Sequence, residues 1–428
     1  MRRRVLGLLG LAVLLAISVV DGPSAKAADP LPPVKHVFVI VLENENAEVT
    51  FGPNSPAPYL ATELPAKGQL LTQYYGIGHV SLDNYIAMVS GQAPNPITQS
   101  DCQVFQSFLP APAVLDGDGQ AVGTGCVFPS NVSTIADQLE AKGLTWRGYM
   151  DDMATPCRHP VVGTQDHTQS AKVGDQYATR HNPFMYFRSI IDDDASCQQH
   201  VVDLTSLTAD LGTVGTTRNL TFITPDLCHD GHDAPCVDGQ PGGLKSADAF
   251  LKTWVPKILA SPAFKQDGML VITFDEAEPG QPSSATACCG EQPGPNSPSP
   301  GIDGPGGGRV GAVVLSPFTE PGSENDTPYN HYALLRTMED LFGVSHLGFA
   351  AADGLEPFGS DVFGFADVTG GTTTTTSTTI APTTAPTEAP AGDGLAATGG
   401  RPPWLLIGLA GGGAAALIAV RRRHLRPR

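Results

Sequence analysis

The hydrophobic positions of this chain follow two rhythms. Residues 37–42 (VFVIVL) form a continuous apolar run, the pattern of a strand buried on both faces. The run stops abruptly on the polar pair Glu43-Asn44. Residues 219–226 repeat the pattern and end in Asp226, and residues 268–278 repeat it with Asp275-Glu276. A fourth buried strand is predicted within 309–318. Helical spacing marks the intervening stretches STIADQLEAKG and GLKSADAFLKTWVPKILAS, and also HYALLRTMEDLF, which opens at His331. Within 78–91, Leu82, Tyr85, Ile86 and Val89 recur at i, i+3, i+4 and i+7, one apolar helix face. Ser81 stands at the expected cap of that helix and Gly91 at its stop. Strands alternating with helices predict an α/β fold with a mostly parallel sheet and helices on both faces.

Both ends of the chain follow other rules. Residues 1–27 carry a basic start (Arg2, Arg3, Arg4), an apolar stretch at 5–20 and Ala25-Lys26-Ala27, the form of a secretory signal peptide. Residues 369–394 are rich in Thr and Pro with no apolar period, so they predict an extended stalk. Residues 404–420 are apolar and at the short limit for a membrane span, and Arg421, Arg422 and Arg423 follow. With Leu395-Ala396-Ala397-Thr398-Gly399 before it, the segment 395–428 resembles a sortase sorting signal. That implies cleavage after Thr398, sortase as a partner, and attachment to the wall of a Gram-positive bacterium. A plain membrane anchor is the alternative. Residues 28–368 then form one exported domain at the cell surface.

The formal net charge is −18, and ten of the 25 basic residues lie in the signal peptide or after Gly400. Such an acidic domain lacks the basic footprint that phosphate backbones require, which excludes nucleic-acid binding. All eight cysteines (Cys102, Cys126, Cys157, Cys197, Cys228, Cys236, Cys288, Cys289) fall in the exported part and read as disulfides in an oxidising compartment. Cys228 and Cys236 are expected to close a short loop. A zinc cluster is the rival, although no CxxC pair occurs.

Three strands ending in acids would bring Glu43-Asn44, the loop bearing Asp226, His229, Asp230, His232 and Asp233, and Asp275-Glu276 to one sheet edge, where ligands of such sheets gather. Crowded carboxylates do not all stay ionised without a cation, so a divalent metal ion is expected there. Ser81 admits two roles. It caps a core helix, or its hydroxyl, among free N–H groups at a helix start, faces an anion such as phosphate and acts as a nucleophile.

The pieces VFVIVLENENAEVTFG, HVSLDNYIAMVSG, FITPDLCHDGHD, VITFDEAE and YNHYALLRTMEDLFG, spanning 37–343, together resemble the secreted bacterial phosphoesterase family. That family contains acid phosphatases and C-type phospholipases and belongs to the alkaline phosphatase superfamily. The resemblance implies an alkaline-phosphatase-like single domain and a metal-dependent phosphoric ester hydrolase, closest to acid phosphatases, some of which act on phosphoinositides. It implies that Glu43, Asn44, Asp275 and Glu276 hold the metal with Ser81. Ser81 would be the nucleophile of a phosphoserine intermediate, Asn84 and His79 would bind phosphate, and His232 and His331 would be catalytic. Asp230 is either a second-metal ligand or a partner of His232. A histidine proton donor implies an acidic to neutral optimum. Relatives carry Pro where Asp83 stands. The Pro/Gly-rich loop 287–308 is expected to form a lid or flexible rim, with Cys288-Cys289 as its tether. A phospholipase C-type phosphodiesterase and a non-catalytic surface adhesin are the alternatives. A sulfatase is disfavoured because no C/S-x-P-x-R motif occurs.

Overall fold

Eight strands make the central sheet. They are β1 (His36–Leu42), β2 (Gln69–Leu71), β3 (Trp146–Met150), β4 (Val201–Asp203), β5 (Leu220–Thr224), β6 (Gly268–Phe274), β7 (Ala312–Leu315) and β8 (Ser323–Asn325). Their spatial order is β8-β2-β7-β6-β1-β5-β3-β4. This computed structural model describes residues 31–281 and 283–364. The predicted signal peptide, stalk and sorting signal lie outside the described residues. Among the described residues no helix is long and apolar enough to cross a membrane.

The sheet is mostly parallel. β1 runs parallel to β5 on one side and β6 on the other, with Ile40 opposite Ile223 and Ile272. β3 continues the parallel set between β5 and β4. The strand predicted at 309–318 is real but short, and it lies antiparallel to both β6 and β2. Its C-terminal end therefore leaves by the opposite edge from those of β1, β5 and β6. All seven residues of β1 and all seven of β6 are buried, as strands covered on both faces must be.

The covering helices form two packing sets. α1 (Ser81–Ser90) lies against α2 (Ile135–Ala141) and, further along the chain, α5 (His331–Phe342). α3 (Gly243–Ala260) packs on α4 (Pro262–Asp267), which touches β1 and β6. α2 starts with a capping box in which Thr134 and Asp137 satisfy each other's backbone N–H groups. Gly91 ends α1 at φ 66°, and a Cβ there would meet the Leu347 carbonyl oxygen at 2.1 Å, so only glycine fits this stop. Trp146, Phe184 and Phe222 interlock beside β3 and β5 at centroid distances of 4.6 and 5.6 Å. Each such buried aromatic contributes roughly 1.5–3 kcal/mol through the water it sheds.

All eight cysteines are paired: Cys102–Cys126, Cys157–Cys197, Cys228–Cys236 and Cys288–Cys289. The short loop expected at 228–236 is present. Cys288 and Cys289 are bonded to each other, so they do not tether the 287–308 loop to another segment. Hydrogen bonds hold that loop instead. Pro300 O accepts from His79 N at 3.2 Å, Gly307 N donates to Gly76 O at 3.0 Å, and the Gln99 side chain donates to Ser299 and Pro300 carbonyls. The loop thus docks on the turn that leads into Ser81.

Candidate active site

Parallel direction alone brings the acids together. β1 ends at Leu42, β6 at Phe274 and β5 at Thr224, so Glu43, Asp275 and the 226–233 loop emerge at one edge. Backbone bonds lock them in register: Glu43 N donates to Asp230 O and Asp275 N to Leu42 O, both at 2.8 Å. Asn44 turns the chain at φ 54°. Its N–H donates to Asp275 Oδ1 at 3.0 Å and its amide to Glu276 Oε1 at 3.2 Å.

Glu43 is completely buried, and two hydroxyls meet it. Tyr85 donates to Oε1 at 2.6 Å and Ser81 to Oε2 at 2.8 Å. Ser81 reaches Glu43 because it is not the helix cap. Val80 takes that position and Ser81 is the first helical residue. The side chain of Asp101, nineteen residues on, accepts from Leu82 N at 3.1 Å and supplies the capping oxygen. Tyr85 was visible only as part of an apolar face, yet its hydroxyl lies in the acid cluster.

Burial dominates the electrostatics. It pushes Glu43 well above the usual carboxylate range, helped by Asp275 and Asp230. It raises Asp275 to about 7 and Asp230 to about 8. The buried Arg180 guanidinium, 3.6 Å from Asp101, opposes these shifts on Glu43 and Asp230. Asn44 Oδ1, Asp230 Oδ2 and Asp275 Oδ2 have no hydrogen-bond partner among the described residues. Buried oxygens without donors lose their hydration for nothing. A divalent cation beside Glu43, Asn44, Asp275 and Glu276 would satisfy them, and an oxygen-rich donor set suits one. Among the described residues, two tighter clusters of donor atoms, each within 4.8 Å, lie outside this set. In one, Cys228 and Cys236 with Asp238, the cysteines are joined as a disulfide. In the other, His229 Nδ1 already bridges Asp151 at 3.1 Å and Asp226 at 2.8 Å.

The remaining predicted residues divide. His232 lies at the rim, its side chain 43% exposed and 4.0 Å from Glu278, while its N–H donates to Asp230 Oδ1 at 3.0 Å. Asn84 spends its whole amide on the turn before Ser81: Oδ1 accepts from Ile77 and Gly78, and Nδ2 donates to Gly78 O and Val80 O. His79 touches Glu276 through Nδ1 and donates through Nε2 to Ser284 O at 2.8 Å. His331 is fully buried, with Nε2 donating to Asp275 O at 2.6 Å and Nδ1 beside Tyr74 OH at 3.2 Å. These three side chains have no open position toward a substrate in this arrangement. They brace the strand end that carries Asp275 and Glu276 and the Ser81 turn. Asp83 is buried with both oxygens unpartnered among the described residues, and burial raises its pKa well above the usual range. Of His229 and Asp233, the first is tied up by its two carboxylates and the second offers its carbonyl to Gly243 N at 2.8 Å. A surface cavity of about 630 Å³ lined by Glu291, Asn330, Tyr332, His346 and Phe349 includes none of the predicted site residues.

A hydroxyl at a helix start is thus hydrogen-bonded to a buried carboxylate at the carboxyl edge of a mostly parallel sheet, beside carboxylate oxygens without donors among the described residues. The Phosphoesterase family matches residues 54–345, and the chain belongs to that family. It is 26% identical over 288 residues to a phosphate-repressible acid phosphatase of Penicillium chrysogenum, covering 67% of this chain and 55% of that enzyme. It is 24% identical over 330 residues to a phosphatidylinositol-3-phosphatase of Mycobacterium tuberculosis, covering 76% and 82%. The chain therefore spans little more than half the length of the Penicillium enzyme. Among solved structures, a Vibrio parahaemolyticus protein of the alkaline phosphatase superfamily superposes with a TM-score of 0.46 at 14% identity, over 78% of this chain and 73% of that one.

Proposed function

We propose that this chain is an exported, metal-dependent phosphomonoesterase of acid phosphatase type, acting through a phosphoserine intermediate, with phosphoinositides among its candidate substrates. The observation that carries this is the 2.8 Å bond from Ser81 Oγ to a buried Glu43 oxygen beside carboxylate oxygens that lack donors. Glu43, Asn44, Asp275, Glu276 and Ser81 would hold one divalent ion, which when bound supplies positive charge to the phosphoryl oxygens and lowers the hydroxyl pKa. Ser81 Oγ releases its proton toward Glu43 and forms the bond to phosphorus. The dipole at the start of α1 would favour the anionic group. His232, whose side chain is 43% exposed, would hand a proton to the departing alkoxide, and water would then hydrolyse the phosphoserine. The phosphatidylinositol-3-phosphatase of M. tuberculosis, 82% covered, supports a lipid monoester over a diester. Export rests on the signal-peptide pattern, and attachment by a sortase or a membrane span rests on the C-terminal pattern.

The test is hydrolysis of p-nitrophenyl phosphate and bis-p-nitrophenyl phosphate by the exported domain beside its Ser81→Ala variant. Monoester cleavage lost in the variant supports the proposal. Preference for the diester transfers the same residues to the phospholipase C-type reaction. Turnover undiminished in Ser81→Ala removes the nucleophile assignment.

A further inference from the structure

Between Asp101 and Asp116 the chain carries no charged residue, and none occurs from Gly119 to Ala136. These stretches hold a two-stranded hairpin, Leu109–Leu115 against Ala121–Thr124, that is not part of the central sheet. Six of the seven residues of its first strand are exposed, and only Ala113 is buried. Both faces of that strand therefore meet solvent. Leu109 and Val114 are each 61% exposed, and Leu115 and its neighbour across the hairpin, Val122, 43% and 39%. A strand with one wet face alternates apolar with polar positions, whereas this one offers Leu, Pro, Ala and Val to water throughout. Contiguous exposed apolar patches mark interaction surfaces.

The hairpin is fixed at three points beside the proposed active site. At its base, Cys126 is bonded to Cys102, next to Asp101, whose carboxylate accepts from Leu82 N at the start of α1. At its turn, Gln120 donates to Gly91 O at 2.8 Å and Gln92 donates to Gly119 O at 2.9 Å, which ties it to the stop of α1. Asn296, in the loop that docks on the Ser81 turn, accepts from Gly123 N and donates to Ala121 O, both at 2.7 Å.

The chemistry of the hairpin selects its partner. A second copy that adds a strand needs free backbone groups along the edge. Pro110 and Pro112 have no N–H, and the Asn131 amide occupies both backbone groups of Ala113 at 2.9 Å, so the edge is closed to strand addition. A charged partner finds no counter-charge on either strand. The apolar margin of a lipid bilayer requires neither edge donors nor charge.

We propose that the hairpin 109–124 is a lipid-surface docking element, which lays Leu109, Val114, Leu115 and Val122 into the apolar margin of a bilayer beside α1. This rests on the phosphomonoesterase function proposed above and names the surface on which a lipid substrate is met. Such binding scales with buried apolar area. No basic residue takes part, so salt should not release it, unlike polybasic attachment.

The described residues fall within one compact unit that ends before the C-terminal apolar segment, so the exported domain is tested without that segment. Co-sedimentation with phosphatidylcholine vesicles, with and without phosphatidylinositol 3-phosphate, measures its partition. The wild type should bind both kinds of vesicle equally at low and high sodium chloride. The triple variant Leu109→Gln, Val114→Gln, Leu115→Gln should bind at least about tenfold more weakly and lose a similar factor in turnover of the vesicle-borne lipid. Its kcat/KM on p-nitrophenyl phosphate should stay within about twofold of wild type. In Leu109→Trp, the emission of the new indole should shift to the blue on adding vesicles, which reads insertion even if the triple variant fails to fold. Wild type that cleaves p-nitrophenyl phosphate but stays off vesicles overturns the docking element alone, and so does a triple variant that binds as wild type does. A wild-type dimer that the triple variant splits, seen by analytical ultracentrifugation without vesicles, assigns the hairpin to a second copy and overturns it too. Vesicle binding without cleavage of any phosphate ester leaves the docking element standing and removes the enzymatic reading.

Discussion

Ser81 Oγ and Glu43 Oε2 are 2.8 Å apart, joining the first residue of α1 to the first residue after β1. Two segments that are 38 residues apart in the chain share one proton. Replacing Ser81 by Ala removes the proposed nucleophile without disturbing the helix, because Asp101 supplies the cap. Phosphatase turnover should fall by at least about 10³-fold with an unchanged far-UV circular dichroism spectrum. Steady-state kinetics on p-nitrophenyl phosphate checks it, and a loss below about tenfold contradicts it.

Tyr85 OH donates to the other Glu43 oxygen at 2.6 Å in a fully buried setting. Tyr85→Phe keeps the ring packing and strands that oxygen. The variant should lose about 1–3 kcal/mol of stability, measured by urea unfolding of the metal-stripped protein. A neutral result would show that the acid cluster rearranges freely.

Asp275 and Asp230 titrate in the folded protein at about 7 and about 8, above their unfolded value near 3.9. Folding therefore favours their protonated forms. Their contribution is complete below about pH 4 and is lost as pH rises through the folded values. The metal-free protein should melt at a lower temperature at pH 8 than at pH 5. A divalent ion binds the deprotonated forms, so added Mn²⁺ should raise the melting temperature more at pH 8 than at pH 5. Differential scanning calorimetry across that grid is the check, and a larger metal effect at pH 5 would refute the carboxylate assignment.

Cys157–Cys197 closes a sequence separation of 40 and Cys228–Cys236 one of 8. Cross-linking a longer loop removes more unfolded-state entropy. Double Ser replacement at 157 and 197 should cost about 2–4 kcal/mol and more than the same replacement at 228 and 236. Denaturant midpoints of the two double variants decide the order.

Much of the architecture was legible in the apolar rhythm. The runs at 37–42 and 268–274 are uninterrupted because central parallel strands must be apolar on both faces. Once those strands run parallel, Glu43-Asn44 and Asp275-Glu276 can only emerge at one edge. The antiparallel course of β7 was not legible, because a short buried run carries no mark of direction. Nor was the location of the Ser81 cap. Asp101 reaches Leu82 only after the chain folds back, and the rule that places Ser at a cap reads adjacent residues alone.

The roles of the histidines divide in the same way. The sequence alone determined that His79, His232 and His331 stand near strand ends or helix starts, and only the tertiary structure decided that His79 and His331 are locked to Glu276 and Asp275 while His232 stays open. The Tyr85 hydroxyl escaped notice because it sits in an apolar helical stripe. Local pattern specifies which faces must be buried, since burial repeats with the period of the element. Which polar atoms meet inside that interior depends on contacts between distant segments, here 43 with 81, 85 and 275, and no periodicity records them.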